Sequence, residues 1–204
     1  MVLQGGISMN SAQPIKKTRD LEKFKNYYKE IKPNYRNELL IILGLNTALR
    51  ISDMLSLEWH SVYDFDKKEY RNHIIIHEQK TGKISQIYIN SNVLDALKDY
   101  REYLRRKEKT IDPDTFLFNH SNKNVSITRT QAFRIIKEAA DYYSLSGVIS
   151  CHSLRKTFGY HAWKQGVPPV LLVTVFNHSS FNITKRYLGI EQDDKDKIFK
   201  KIKL

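Results

Sequence analysis

Residues 38–49, Glu-Leu-Leu-Ile-Ile-Leu-Gly-Leu-Asn-Thr-Ala-Leu, leave this chain few folds to choose from. Apolar side chains run almost all round them, with no polar stripe to meet water, so they predict a central helix covered on most sides. The segments that could cover it are legible. Leu21, Phe24, Tyr28 and Ile31 recur at three and four residues and predict a one-faced helix over 20–31, stopped by Pro33. Leu94, Leu97, Tyr100 and Leu104 mark another, and Thr128 can cap a third that carries Ala132, Phe133, Ile136, Ala139 and Ala140. Residues 150–165 read as a helix, Pro168 and Pro169 suit the start of one whose buried run is 171–176, and a short helix holds Thr184 to Tyr187. Ser52 is expected to cap a short helix over 53–57. Against these stands little β structure. Residues 73–77 and 84–89 flank Gln79-Lys80-Thr81-Gly82-Lys83 and predict a hairpin, and 115–118 form a short apolar turn or strand. The expected fold is mainly α with a small antiparallel β-sheet, an α+β domain.

A chain of 204 residues, 41% apolar, can bury one ordinary core, and no run is long enough to cross a bilayer. No repeat or Pro/Gly-rich linker divides it. The 34 Lys and Arg exceed the 22 Asp and Glu, and the resulting +12 favours a polyanionic partner, although a merely solvated basic surface would give the same count. Cys151 is the single cysteine, which excludes an internal disulfide and fits a reducing cytoplasm; beside His152 it invites a nucleophile reading, weighed against simple packing at a helix start. No metal-ligand spacing and no Walker-type glycine loop is present, so neither a metal nor another cofactor is expected.

Six scattered residues make chemical sense together: Arg50, Lys80, His152, Arg155, His178 and Tyr187. Breaking a phosphodiester without a metal needs charge neutralisation on the non-bridging oxygens, a proton for the leaving alkoxide, and a nucleophile. Guanidiniums present forked donors to phosphate oxygens and stay charged, which suits Arg50 and Arg155. An ammonium beside two guanidiniums gives up a proton more readily, which suits Lys80 on its hairpin; Lys83 competes on the same turn. Cationic neighbours favour the phenolate of Tyr187, whose attack would store the bond energy in a phosphotyrosine. His152 and Arg155, three apart, share one side of a helix's first turn, where backbone donors welcome phosphate.

The contexts of these residues resemble the tyrosine recombinase (phage integrase) family. They are Thr47-Ala-Leu-Arg50-Ile-Ser-Asp53, His152-Ser-Leu-Arg155-Lys-Thr157, Asn177-His178-Ser-Ser180 and Thr184-Lys-Arg-Tyr187-Leu-Gly189, spread over about residues 35–190. Asp53 matches an acidic position that supports the first arginine. Asn177 stands where the family commonly has Gly, and Leu188-Gly189 departs from its usual ending.

The resemblance implies a catalytic domain over 19–190 that cleaves and rejoins DNA through a 3′-phosphotyrosyl link, without metal or ATP. Arg50, Arg155 and His178 would bind the phosphate, His152 would handle the tyrosine's proton, and Lys80 would protonate the leaving oxygen. Double-stranded DNA is the implied partner, with a tetramer on DNA, a monomer off it, an accessory DNA-bending protein, no membrane, and a cytoplasmic, nucleoid-associated location. A type IB topoisomerase and a catalytically silent DNA-binding regulator of the same fold are the rival readings. Residues 1–18 are expected to be a flexible segment, the first eight foreign to a natural chain starting at Met9. Some 30 residues ahead of the motifs leave no room for the family's N-terminal DNA clamp. Residues 191–204, with Ile198, Phe199, Ile202 and Leu204 among five lysines, are expected to dock into a neighbouring subunit or fold back on their own. Without DNA, the arginines and histidines should be in place while Lys80 and Tyr187 are out of it.

Overall fold

A computed structural model describes residues 12–120, 123–188 and 199–202. Helix α1 (Thr18–Asn26) runs on into a π-helical turn, Tyr27–Ile31, and buries Phe24, Tyr27 and Tyr28. Tyr28 fastens this arm to the domain, its hydroxyl donating to Ile135 O at 3.0 Å and to Glu138 Oε2 at 2.8 Å. The all-round apolar segment becomes α2 (Tyr35–Thr47), capped by the Asn34 side chain, which accepts from Asn37 N. Leu39, Leu40, Ile41 and Leu43 are fully buried, because α4 (Ser91–Arg106) and α6 (Cys151–Lys164) pack on different sides of the helix. A Cβ on Gly44 would stand 2.5 Å from Leu154 Cδ1, so α6 can lie this close to α2 only where α2 has no side chain.

The chain leaves α2 through Ala48 in the left-handed region (φ 56°) and re-enters a helix at once as α3 (Ile51–Leu55). Arg50, not Ser52, holds the N-cap, with Met54 N donating to Arg50 O at 3.0 Å. Ser52 misled because its hydroxyl satisfies the sequence rule, whereas the backbone kink at Ala48 fixes where the helix starts. Among the described residues the β structure is two small antiparallel ribbons. Strands β1 (Tyr63–Asp64) and β2 (Glu69–Tyr70) close a tight polar turn, while β3 (His73–His77) and β4 (Ile84–Tyr88) form the expected hairpin with His77 opposite Ile84. Residues 115–118 make an isolated bridge, Glu58 to Phe116, and place Leu117 and Phe118 in the core.

Helix α5 (Arg129–Tyr142) starts on the expected Thr128 cap, reinforced by Gln131. Helices α7 (Pro169–Val175) and α8 (Phe181–Leu188) close the chain over α6. They form a second small core of Ala48, Leu172, Phe176 and Leu188, against which Phe158, Trp163 and Tyr187 pack. The expected buried run 171–176 is only half buried. Leu172 and Phe176 are covered, but Val170, Leu171 and Val175 face solvent, since a short surface helix packs only one side inward.

Residues 12–15, within the stretch expected to be flexible, make defined contacts with the domain. Gln13 N donates to Val148 O, Ile15 N donates to Thr157 Oγ1, Lys156 Nζ donates to Ala12 O, and Ile15 is buried to 4%. A short apolar anchor with satisfied backbone groups outweighs the polar composition around it. Residues 1–11 lie outside the described residues, as does most of the 191–204 tail; residues 199–201 are helical, with Phe199 and Ile202 exposed.

Candidate active site

Four elements meet around one tyrosine. Helix α8 carries Tyr187 over the first turn of α6, and its hydroxyl hydrogen-bonds Nε2 of His152. The phenol ring packs edge-on against His152 and His178, with centroids 4.8 and 4.6 Å away, and leans on Phe176 at 5.4 Å. The expectation that the nucleophile waits away from the site is therefore not met. Its ring is half-buried in the second core, and that packing seats it against both histidines. Burial also sets its acidity: it pushes the phenol above its usual pKa, outweighing the pull of Arg155 and Arg50 in the opposite direction. The phenolate expected from the cationic neighbours is not the resting form.

Both histidines are neutral at pH 7. Burial, and then the positive charge of Lys156, Arg155, Arg50 and Lys80, holds His152 at about 4, although one edge of its ring is open to solvent. Burial, Arg155 and Arg50 hold His178 at about 4 as well. His178 stacks on Phe176 and has Nδ1 2.9 Å from Thr184 Oγ1, which fixes the ring by that nitrogen.

Arg155 lies at the floor, 3% exposed, its guanidinium 4.8 Å above the Phe176 ring. Nη1 donates to Ala48 O and Nη2 to Phe176 O at 2.6 Å, so the arginine ties the end of α2 to the end of α7; Nε is buried without a partner. Burial, and then the like charge of Arg50, lowers its pKa, as desolvation does for any cation. Arg50, at the start of α3, pairs with Glu78 at the base of the β3–β4 hairpin. Lys80 is exposed two residues on, at the turn, and contributes to the field that lowers both histidines. The structure thus collects Arg50, His152, Arg155, His178 and Tyr187 in one place, with Lys80 at its rim.

The sequence profile of the phage integrase family matches residues 17–193. The chain belongs to the phage integrase family. A probable integrase/recombinase of Bacillus subtilis, YoeC, is 36% identical over 185 residues, 91% of this chain and 93% of its own length. The TnP I resolvase of Bacillus thuringiensis is 32% identical over 78% of this chain, which corresponds to 51% of that protein. Among solved structures, XerA recombinase superposes with TM-score 0.74 at 16% identity over 96% of this chain and 66% of its own. XerH bound to palindromic difH substrate gives 0.75 at 18% over 94% and 54%. These last likenesses confirm the α+β fold of the family's catalytic domain. By membership the integrase is a tyrosine-type site-specific recombinase.

Sequence reasoning missed three participants in this integrase. Glu78, 4% exposed, takes hydrogen bonds from Ser85, Asn177, Arg50 and Thr81; burial pushes its carboxyl up, but those donors prevail and hold it at about 2. It does the work expected of Asp53, whose Oδ1 instead accepts from Gln79 N at 3.0 Å. Thr184 appeared only as motif context, yet orients His178. Lys156 lies 5.6 Å from the Tyr187 ring. No spacing rule singles out Glu78, because a hairpin carboxylate becomes a partner only once the strands fold against α3. Of the two readings of Cys151, packing is the one favoured, since burial raises the pKa of its thiol.

Proposed function

We propose that this chain cleaves and rejoins double-stranded DNA through a phosphotyrosine on Tyr187. The observation that carries the reading is the hydrogen bond between the Tyr187 hydroxyl and a neutral His152, within a pocket that also holds two guanidiniums. A phenol with a raised pKa is a weak nucleophile until its proton leaves, and an imidazole held at about 4 is free to take it. Arg50, Arg155 and Nε2 of His178 would bind the non-bridging oxygens where charge accumulates in the transition state. As phosphate oxygens replace water around Tyr187 and draw the guanidiniums to themselves, the phenol oxygen would attack phosphorus, and the 5′ oxygen would leave with a proton from Lys80. One phosphodiester is exchanged for another, so the step needs no energy source. Reversal by a different 5′-hydroxyl would complete strand transfer.

The surplus of twelve positive charges supports a duplex as substrate, as do the names of relatives bound to DNA. A tetramer on DNA, with the 191–204 tail passed to a neighbour, is the assembly we favour. The exposed Phe199 and Ile202 could then seek the exposed α7 side chains Val170, Leu171 and Val175 of another copy. Removal of residues 191–204 that left assembly on DNA unchanged would count against the tail's role.

The deciding experiment uses nicked suicide duplexes carrying the native recombination site, cut from DNA flanking the gene. A protein–DNA adduct resistant to denaturant should form with the unaltered chain and vanish with Tyr187→Phe. No adduct on that site would favour a silent DNA-binding regulator, and relaxation of any plasmid regardless of sequence would favour a topoisomerase.

A further inference from the structure

Asn177 holds φ 49°, a left-handed conformation that Gly or Asn tolerates and most residues do not. Backbone geometry alone would be met by the Gly that the family commonly has there. The asparagine adds an amide, and that amide spans a large gap in sequence. Its Nδ2 donates to Glu78 Oε1 and lies 3.2 Å from Ser85 Oγ, so the turn that precedes His178 is bound to both strands' ends of the β3–β4 hairpin. The amide's orientation is fixed by chemistry, since an ionised carboxylate can only accept and the NH₂ must face it.

Glu78 is the centre of this arrangement. One of its oxygens takes Asn177 and Ser85 Oγ at 2.6 Å; the other takes Thr81 Oγ1 at 3.0 Å and Arg50. The hairpin turn hangs on the same residue through its backbone, with Glu78 N donating to Lys83 O and Gly82 N to Glu78 O. Lys80 stands inside that loop, exposed, on a turn whose other tie to the domain is Gln79 N donating to Asp53 Oδ1 at 3.0 Å. Four donors on a nearly dry carboxylate make strong, charge-assisted bonds, and they converge on the piece of chain that carries Lys80.

We propose that Asn177 is a positioning residue that, through Glu78, latches the Lys80 hairpin to the His178 loop and sets where Lys80 can deliver its proton. The inference rests on the reading of Lys80 as the acid for the leaving oxygen. It assigns to Asn177 a part that backbone conformation does not require and that Gly could not play.

The test uses Asn177→Gly, which keeps the left-handed backbone and removes only the amide. Single-turnover cleavage is measured on two suicide duplexes, one ordinary and one with sulfur in place of the 5′-bridging oxygen at the scissile phosphate. A thiolate leaves without needing a proton. The variant should bind the ordinary duplex as tightly as the unaltered chain, cleave it about tenfold more slowly, the rate equivalent of one charge-assisted hydrogen bond, and cleave the sulfur duplex at the unaltered rate. Hydrogen exchange of the amides of residues 78–83 should quicken several-fold in the same variant. Unchanged cleavage of the ordinary duplex, equal slowing on both duplexes, or unchanged exchange would each overturn the latch. Lys80→Ala run alongside separates the two claims: if it slows both duplexes equally, the acid role of Lys80 fails, whereas the exchange measurement still decides whether Asn177 holds the hairpin.

Discussion

At the scale of single residues, the site rests with its proton on the tyrosine. Burial raises the phenol and lowers the imidazoles, so proton transfer from Tyr187 to His152 is uphill until something changes the field. A phosphate would do so, because an anion beside His152 and His178 favours their charged forms. The sign follows from the two states. A histidine held at about 4 without DNA and higher with it takes up a proton on binding wherever the pH lies between those values. Affinity for DNA should therefore strengthen as pH falls from 7 toward 5 at constant ionic strength, with net proton uptake in calorimetry run in buffers of different ionisation enthalpy. Imidazole carbon shifts should show both rings neutral at pH 5.5 in the free protein and the phosphate-binding His178 charged in the complex. Proton release, or free histidines titrating near 6.5, would refute this account. Arg50, His152, Arg155, His178 and Tyr187, which the fold brings together, stood out in the sequence because each lies in a motif of local spacing, whereas Lys80 had only its place on a hairpin turn. Glu78 and Thr184 did not stand out, since each acquires its role from a neighbour on a different element or on the far side of a loop.

At the scale of elements, the position of Tyr187 depends on how closely α7 and α8 approach α6. Gly159 sits on the α6 face that meets them, and a Cβ there would stand 2.6 and 2.9 Å from the Phe176 ring and 3.1 Å from Leu188 Cδ2. Two effects of Gly159→Ala oppose each other. Alanine in a helix interior gains about 1 kcal/mol over glycine, while overpacking a filled core costs about 1–3 kcal/mol. Phe176 is fully buried against α6, with the Arg155 guanidinium over its ring and little room to retreat, so the cost should win. The urea midpoint should fall, and cleavage should fall further than stability does, because Phe176 and Leu188 frame the tyrosine. A variant with a higher midpoint and full cleavage would show that α8 is not fixed by this contact. Elements with local signals were readable: the Thr128 cap, the Pro169 start, the hairpin and the apolar α2. The boundary at Arg50 was not, because the left-handed turn at Ala48 is held by Arg155, 107 residues away, donating to its carbonyl.

At the scale of the whole molecule, residues 12–15 are bound to the helix that carries His152 and Arg155. Ile15 is anchored against α6 by its backbone N–H on Thr157 Oγ1, and its carbonyl meets His161 Nε2 at 2.9 Å. Ala12 O receives Lys156, the residue next to Arg155. These contacts close a loop of more than 140 residues, so they resist separation of α6 from the rest of the domain. They also explain why composition misjudged the segment: one buried isoleucine and four backbone-directed bonds suffice, and neither produces a periodic signal. Ile15→Ala should cost about 2–4 kcal/mol, the range for deleting a buried aliphatic side chain. Because α6 presents both His152 and Arg155, the loss should also appear as slower cleavage at temperatures where the variant is still folded. Thermal unfolding followed by circular dichroism gives the first quantity, and single-turnover adduct formation gives the second. A midpoint within a degree of the unaltered chain would mean that residues 12–17 lie on α6 without holding it. A lowered midpoint with unaltered cleavage would mean that the anchor serves the fold and leaves the first turn of α6 untouched.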